Sequence, residues 1–332
     1  IAVLEIPSGY VADLLGRKMA MVIGTFLGFL GILIYSMSYG FWGFLPAALA
    51  MGIGQSFVSG SDTALMYDSL LDMGRSKEFV KFEGRSISMG NFAEAIAFVI
   101  GGFLAESSLR LPFYYQLGIA LTGFVVSLTL VEPSTKRLER GNKAWTNIAS
   151  IVRHSLIENK VLRNYILYSS IIGATTLTMA WFVQPYYKML GIEIVYFGII
   201  GAVLNLAVAI PSYYAHIIEE KTSTKALLVF FLFSLCISYV AVSFHVSYLS
   251  LGILLFFYVV RGVATPVLRD YMNRHIQSEM RATVMSVRSF IIRIVFASCS
   301  PILGYIADVY TLTQALLISG VLFFLLGGIS LL

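Results

Sequence analysis

Ten apolar runs, each close to the length of a membrane-spanning helix, follow one another along this chain with only short charged stretches between them. They cover approximately 19–39, 42–66, 86–106, 111–131, 164–187, 193–215, 225–244, 248–269, 283–306 and 311–331, and a partial run before them ends in Leu4-Glu5-Ile6-Pro7-Ser8. About 20 apolar residues cross the hydrocarbon core of a bilayer as an α-helix. Inside lipid the backbone must satisfy its own hydrogen bonds, which leaves helices or closed barrels. The period-two alternation that marks a barrel is absent. At 58% hydrophobic and 12% charged residues, the chain is too apolar for an ordinary soluble domain. The fold class expected is an all-α polytopic membrane protein.

A net charge of +5 suggests a nucleic-acid partner only until the charges are placed. Helical spans put alternate loops on opposite sides. The loops on the side of Arg17 and Lys18 also carry Arg75, Lys77, Lys81, Arg85, Lys136, Arg137, Arg140, Lys143, Arg153, Lys160, Arg163, Lys221, Lys225, Arg269, Arg274 and Arg281, whereas the other side has only Arg110 and Lys188. By the positive-inside rule the first side is cytoplasmic. The basicity is topological, and no nucleic acid is expected.

Between the partial run and the first full one lies Gly9-Tyr10-Val11-Ala12-Asp13-Leu14-Leu15-Gly16-Arg17-Lys18. A hairpin this short needs close approach and unusual backbone angles, which Gly9 and Gly16 can supply. Asp13 is a carboxylate at a helix end and needs a cation or a helix N-terminus as partner. The pattern Gly-x-x-x-Asp-x-x-Gly-Arg-Lys resembles the loop signature between the second and third helices of the major facilitator superfamily, with Leu14 where a basic residue is usual. The resemblance implies two six-helix bundles enclosing a central cavity near the bilayer midplane. It also implies a cytoplasmic gate built from Gly9, Asp13, Gly16, Arg17, Lys18 and Asp68. In that gate Arg17 pairs with Asp68, and Asp13 sits at the N-terminus of the helix that begins near Arg281 to Val284. The plainer alternative is that these residues only tighten a hairpin.

An internal repeat fits the same plan. Ile6-Pro7-Ser8 matches Ile210-Pro211-Ser212 at an offset of 204, and Gly60 with Asp68 matches Gly262 with Asp270 at 202. Gly102-Phe103-Leu104-Ala105-Glu106 matches Gly304-Tyr305-Ile306-Ala307-Asp308 at 202 again. Both halves run the same way through the membrane, which makes a parallel repeat. The halves are expected at 1–131 and 161–332, joined by a linker at 132–160. Within the linker Trp145, Ile148, Val152 and Leu156 recur at helical spacing, as in an amphipathic helix on the membrane face, though a plain linker fits too. By the repeat, Ile1 corresponds to Asn205, so about 45 residues, helix 1 and the start of helix 2, are expected to be missing from a twelve-helix plan. About 11 helices should be present.

No phosphate-cradling glycine loop occurs. His154, His216, His245 and His275 lack metal-ligand spacing. No nucleophile–base constellation appears, and Cys236 and Cys299 lie in apolar runs as small hydrophobes. We therefore expect no enzyme, metal or cofactor. Ionisable residues inside spans are costly and tend to face an interior. Glu94 lies mid-span, sharing a face with Asn91, Phe98 and Gly101. It is either a proton or substrate site or a structural partner for an arginine. Arg261 and Arg293 lie deep in their spans, each needing a carboxylate, carbonyls or an anionic solute, and Glu94 is a candidate for both. Arg288, nearer the cytoplasmic end, is expected to snorkel. Asp62, Gln55 and Ser59 read as a polar stripe along 42–66 that lines the pathway, or as a hydrogen-bonded helix contact. Trp181, Gln184, Tyr186 and Tyr187 close the outer end of their helix as an aromatic gate or an interfacial belt. Asn205 sits mid-span as a candidate for the cavity wall.

The function expected is secondary active transport of a small, partly apolar solute by alternating access, as proton-coupled efflux from the cell membrane by a monomer. Alternatives are a solute–proton symporter for uptake, a non-transporting receptor or scaffold, and a membrane-embedded enzyme. Two departures from patterns common among proton-coupled members weaken the drug–proton reading. Ala48 and Met51 stand where an arginine and a glutamine are usual, and Ala97-Phe98 stands where Gly-Pro is usual before Gly101-Gly102.

Overall fold

In a computed structural model, described for residues 2–108, 110–134, 144–193 and 195–331, every regular element is helical. The elements are α1 (Ala2–Leu15), α2 (Arg17–Met37), α3 (Gly40–Val58), α4 (Ser61–Asp72), α5 (Phe79–Ser107), α6 (Leu111–Leu128) and α7 (Ala144–Arg153). They continue with α8 (Lys160–Met189), α9 (Val195–Lys221), α10 (Thr224–Phe244), α11 (Ser250–Asn273), α12 (Arg281–Val309) and α13 (Leu312–Leu331). Among the described residues, nine stretches are long and apolar enough to cross a membrane, with α3 and α4 counted as one. The 14-residue α1, and α5 with Glu94 in its interior, are not among them.

One expected span is interrupted. The run at 42–66 breaks between Val58 and Ser61, where Gly60 adopts a φ of +81° as the residue before α4. A Cβ at Gly60 would stand 3.1 Å from the backbone N of Ser286, so the break also makes room for α12. The linker residues Lys136, Arg137, Arg140 and Lys143 lie outside the described residues. Helix α7 follows them, but it does not lie only against lipid: Ile151 is buried, and Asn147 donates to the Tyr10 hydroxyl at 3.1 Å.

The chain divides into two compact units. The first comprises Ile1–Phe79, Phe103–Arg163 and Asn273–Phe290. In it α2 packs on α3 through small residues, as membrane helices do when no hydrophobic drive exists between them. A Cβ on Gly54 would lie 2.6 Å from the Gly24 carbonyl, and one on Gly24 2.8 Å from that of Gly54. The second unit comprises Val80–Gly102, Asn164–Met272 and Ile291–Leu332. Its core is aromatic and aliphatic, with Tyr168, Phe231, Tyr239, Phe257 and Phe323 all buried. The Tyr239 hydroxyl donates to the Thr175 carbonyl at 2.8 Å. These units cut across the division at 131 and 161, since each takes part of α5 and of α12.

Each unit contains the same interhelical device. In the first, Ser8 on α1 donates to the Ser56 carbonyl on α3 at 2.6 Å. In the second, Ser212 on α9 donates to the Gly262 carbonyl on α11, also at 2.6 Å. Ser8 and Ser212 are the matched serines of the sequence repeat. A serine hydroxyl bonded to a neighbouring helix backbone lets the two axes come close without a stranded polar group.

Candidate functional site

The first unit buries a cluster of four charges. Asp13, Arg17 and Asp68 have no exposed surface, and Arg281 has 2%. Helix α1 ends at Leu15 and α2 begins at Arg17, with only Gly16 between them. Gly16 adopts φ +106°, a left-handed angle that glycine tolerates and a side chain does not. That sharp turn points Arg17 back at Asp13, Nη2 to Oδ1 3.3 Å, and places the same Nη2 3.1 Å from Asp68 Oδ2 on α4. Arg17 also donates to the Ser278 carbonyl. Arg281 pairs with the other Asp68 oxygen, donates to the Ile276 carbonyl at 2.8 Å and lies over the Tyr67 ring at 4.2 Å. Ser278 donates its hydroxyl to Asp68 at 2.9 Å. Two carboxylates and two guanidiniums leave the cluster neutral, a condition for burying it.

Asp13 caps a helix to which it does not belong. It accepts from the backbone N–H of Ala282 at 3.2 Å and of Thr283 at 2.9 Å, and from the Thr283 hydroxyl at 2.6 Å. These are orphan donors at the start of α12, where the helix dipole favours an anion. Asp13 lies outside the candidate spans. Burial pushes its pKa up to about 6, against the opposing pull of Arg17 and of the hydrogen bonds from Thr283 and Ala282. Gly9 permits the approach, since a Cβ there would sit 2.5 Å from Ser286 Oγ and 2.9 Å from the Ala282 carbonyl.

Sequence reasoning missed Glu132. It follows α6, and its two carboxylate oxygens accept from the backbone N–H groups of Arg17 and Lys18, each at 2.8 Å. It therefore caps α2, where Gly16 has no side chain to do so. A Cβ on Gly16 would meet this carboxylate at 2.7 Å. Lys18 contributes its backbone here, and its side chain is half-buried. Ser278 and Thr283 were missed as well. A Ser-x-x-Arg-x-Thr run ahead of an apolar span is a helix-start signal that could have pointed to them.

The second unit holds a cavity of about 210 Å³, lined by Glu94 and Phe98 from α5, Gln184 and Tyr187 from α8, Gly201 and Asn205 from α9, and Tyr258 and Arg261 from α11. Four of the predicted pathway residues, Glu94, Gln184, Asn205 and Arg261, thus meet in one place. Two do not join them: Asp62 and Arg293 are not among the lining residues. Asp62 sits exposed in the first turn of α4, where its carboxylate accepts the N–H of Thr63 at 2.6 Å. Because α3 and α4 break at Gly60, the stripe expected from Gln55 through Asp62 along one helix does not form. The Glu94–Arg261 ion pair offered as one alternative is not formed either. The Arg261 guanidinium instead lies 5.5 Å from the centre of the Tyr258 ring.

Other expectations need correcting. Arg288 does not reach out to solvent: it is 7% exposed and packs within the first unit. Tyr186 is not exposed as a belt residue would be: it is buried, and its hydroxyl donates to Ser250 Oγ at 2.7 Å. Trp181 is exposed on α8, 6.0 Å from the ring of Phe296. In the second unit, Glu83 on α5 pairs with Arg269 on α11, a contact no sequence pattern suggested.

Comparison with known proteins gives three consistent results. The family model described as Major Facilitator Superfamily matches residues 1–297. The quinolone resistance protein NorA of Staphylococcus aureus is 26% identical over 133 residues, 40% of this chain and 33% of that protein. The match thus spans about a third of the length of that curated relative. Among solved structures, the human organic anion transporter MFSD10 (TETRAN) superposes with a TM-score of 0.78 at 18% identity, over 99% of this chain and 80% of that one. The transporter FucP in the outward conformation superposes with a TM-score of 0.77 at 13% identity, over 99% and 86%.

Proposed function

We propose secondary active transport as the function of this chain, which belongs to the Major Facilitator Superfamily. It moves a small, partly apolar solute across the cell membrane by alternating access, as proton-coupled efflux. The observation that carries this reading is the cavity of the second unit. There a carboxylate, a guanidinium, two amides and several aromatic rings converge at a place built from four helices. Sites of this kind are mostly apolar with a few convergent polar groups. Glu94 is the proton-carrying candidate, as the carboxylate that lines this cavity. A protein named for quinolone resistance among the relatives favours efflux over uptake.

The buried charge cluster is the cytoplasmic gate in this reading, with the basic loops inside the cell. Gly9, Asp13, Gly16, Arg17, Lys18 and Asp68 fasten α1, α2 and α4 to the start of α12. Release of the Asp13 cap opens that side during the cycle. The two halves at 1–131 and 161–332 are the rocking bodies, and the monomer is the transporting unit.

The test is flux in proteoliposomes, followed through a fluorescent quinolone with and without an imposed pH gradient. Accumulation should follow the gradient in the wild type and lose its pH dependence in Glu94→Gln. Flux indifferent to the gradient would end the coupling proposal. Unchanged pH dependence in Glu94→Gln would remove that residue from the mechanism. Asp13→Lys should insert into the membrane but transport poorly; normal flux from it would refute the gate.

A further inference from the structure

Two opposite charges face the cavity of the second unit without neutralising each other. Glu94 and Arg261 both line it, yet no ion pair joins them among the described residues. The guanidinium is held over the Tyr258 ring instead, at 5.5 Å. A carboxylate and a guanidinium that share one cavity without pairing each remain free to meet a group of opposite charge. The cavity wall adds a third unsatisfied group. The Tyr187 side chain is 1% exposed, and its hydroxyl has no hydrogen-bond partner. Buried hydroxyls are normally paired, and this unpaired one belongs to a residue that lines the cavity.

We infer that this cavity takes a small zwitterion with an apolar body. Its cationic group meets Glu94, its anionic group meets Arg261 and the Tyr187 hydroxyl, and its body lies on the rings of Phe98 and Tyr258. A guanidinium offers a carboxylate two parallel hydrogen bonds, which makes Arg261 suited to the anionic end. A solute with one charge meets one wall and leaves the charge of the other unmet. A zwitterion satisfies both, so the two walls select for it jointly. At about 210 Å³ the cavity has room for one ring system with its charged groups. The inference rests on the cavity being the transport site.

The test uses three probes with one indole body: tryptophan as the zwitterion, tryptamine as the cation and 3-indolepropionate as the anion. Binding of radiolabelled tryptophan to the purified protein is competed with each. Tryptophan should compete at least tenfold better than either of the others. Glu94→Gln should weaken tryptophan about tenfold and leave 3-indolepropionate unaffected. Arg261→Gln should weaken tryptophan similarly and leave tryptamine unaffected. Gly201→Phe, which fills the space beside the Phe98 ring, should abolish binding of all three. Melting temperatures of the variants establish that each is folded. Equal competition by the three probes, or no tryptophan binding to the wild type, overturns the zwitterion assignment. If Gly201→Phe blocks binding but the charge variants do not discriminate, the site stands and only the zwitterion falls. If tryptophan still binds Gly201→Phe, the cavity is not the site.

Discussion

The carboxylate of Asp13 accepts the backbone N–H of Thr283, 270 residues further along the chain, at 2.9 Å. Ala282 and the Thr283 hydroxyl converge on the same carboxylate, so its removal strands three donors in a buried place. Asp13→Ala should therefore cost about 1–3 kcal/mol, the usual penalty for buried polar groups left unmet. A fall in melting temperature of the purified protein checks it, and an unchanged temperature would show the cap to be idle.

The same carboxylate carries a pH dependence. Burial raises its pKa from an ordinary 3.8 to about 6 in the folded protein. The folded state thus binds this proton more tightly than the unfolded one. The part of the stability that comes from holding this proton is full below pH 3.8 and is lost as pH rises through about 6, apart from what the hydrogen bonds of the cap contribute. That difference corresponds to about 3 kcal/mol between the two limits. Asp13→Asn has no proton to lose. The melting temperature of the wild type relative to Asp13→Asn should fall between pH 4 and pH 7, and a constant difference would contradict the assignment.

Charge balance around Asp68 gives a sharper expectation. Asp68 meets both Arg17 and Arg281, and all three are buried. Asp68→Asn leaves two guanidiniums with Asp13 alone. The cost should be about 3–5 kcal/mol, as for other buried pairs broken from one side. Adding Arg281→Gln restores neutrality and should recover part of the loss, so the two substitutions will not add. A double-mutant cycle on thermal stability measures this. Additive losses would show that the two side chains do not sense each other.

Much of this architecture was open to reading in the sequence, for one physical reason. A helix in lipid needs its apolar length locally, so the runs at 19–39 or 225–244 announce α2 and α10 without any tertiary information. The partners of the motif residues came from the resemblance to the superfamily, since the residues alone left Asp13 with either a cation or a helix N-terminus as partner. What stayed hidden depends on distant packing. The break at Gly60 falls 14 residues beyond Pro46, the proline of that run, and the neighbour that occupies the space is Ser286. Glu132 looked like any linker charge because its partners are backbone groups 115 and 114 residues away. Glu94 and Arg261 were each visible as costly charges. Whether they pair depends on how α5 and α11 lie in the second unit, which no periodicity records.

Two glycines of α5 separate packing from propensity. A Cβ on Gly84 would stand 2.1 Å from the Ser212 carbonyl oxygen on α9, a backbone atom that cannot step aside. Gly90, less than two turns further on, has nothing within 4 Å of the same position. Gly84→Ala must force α5 from α9, at a cost of about 1–3 kcal/mol by analogy with overpacked cores. Gly90→Ala meets open space and should gain up to about 1 kcal/mol, since alanine favours the helix. The two variants add the same methyl group to the same helix, so any general effect of alanine cancels between them. Melting temperatures should move in opposite directions. If Gly84→Ala proves as stable as Gly90→Ala, then α5 does not touch α9 as closely as the Ser212 carbonyl indicates.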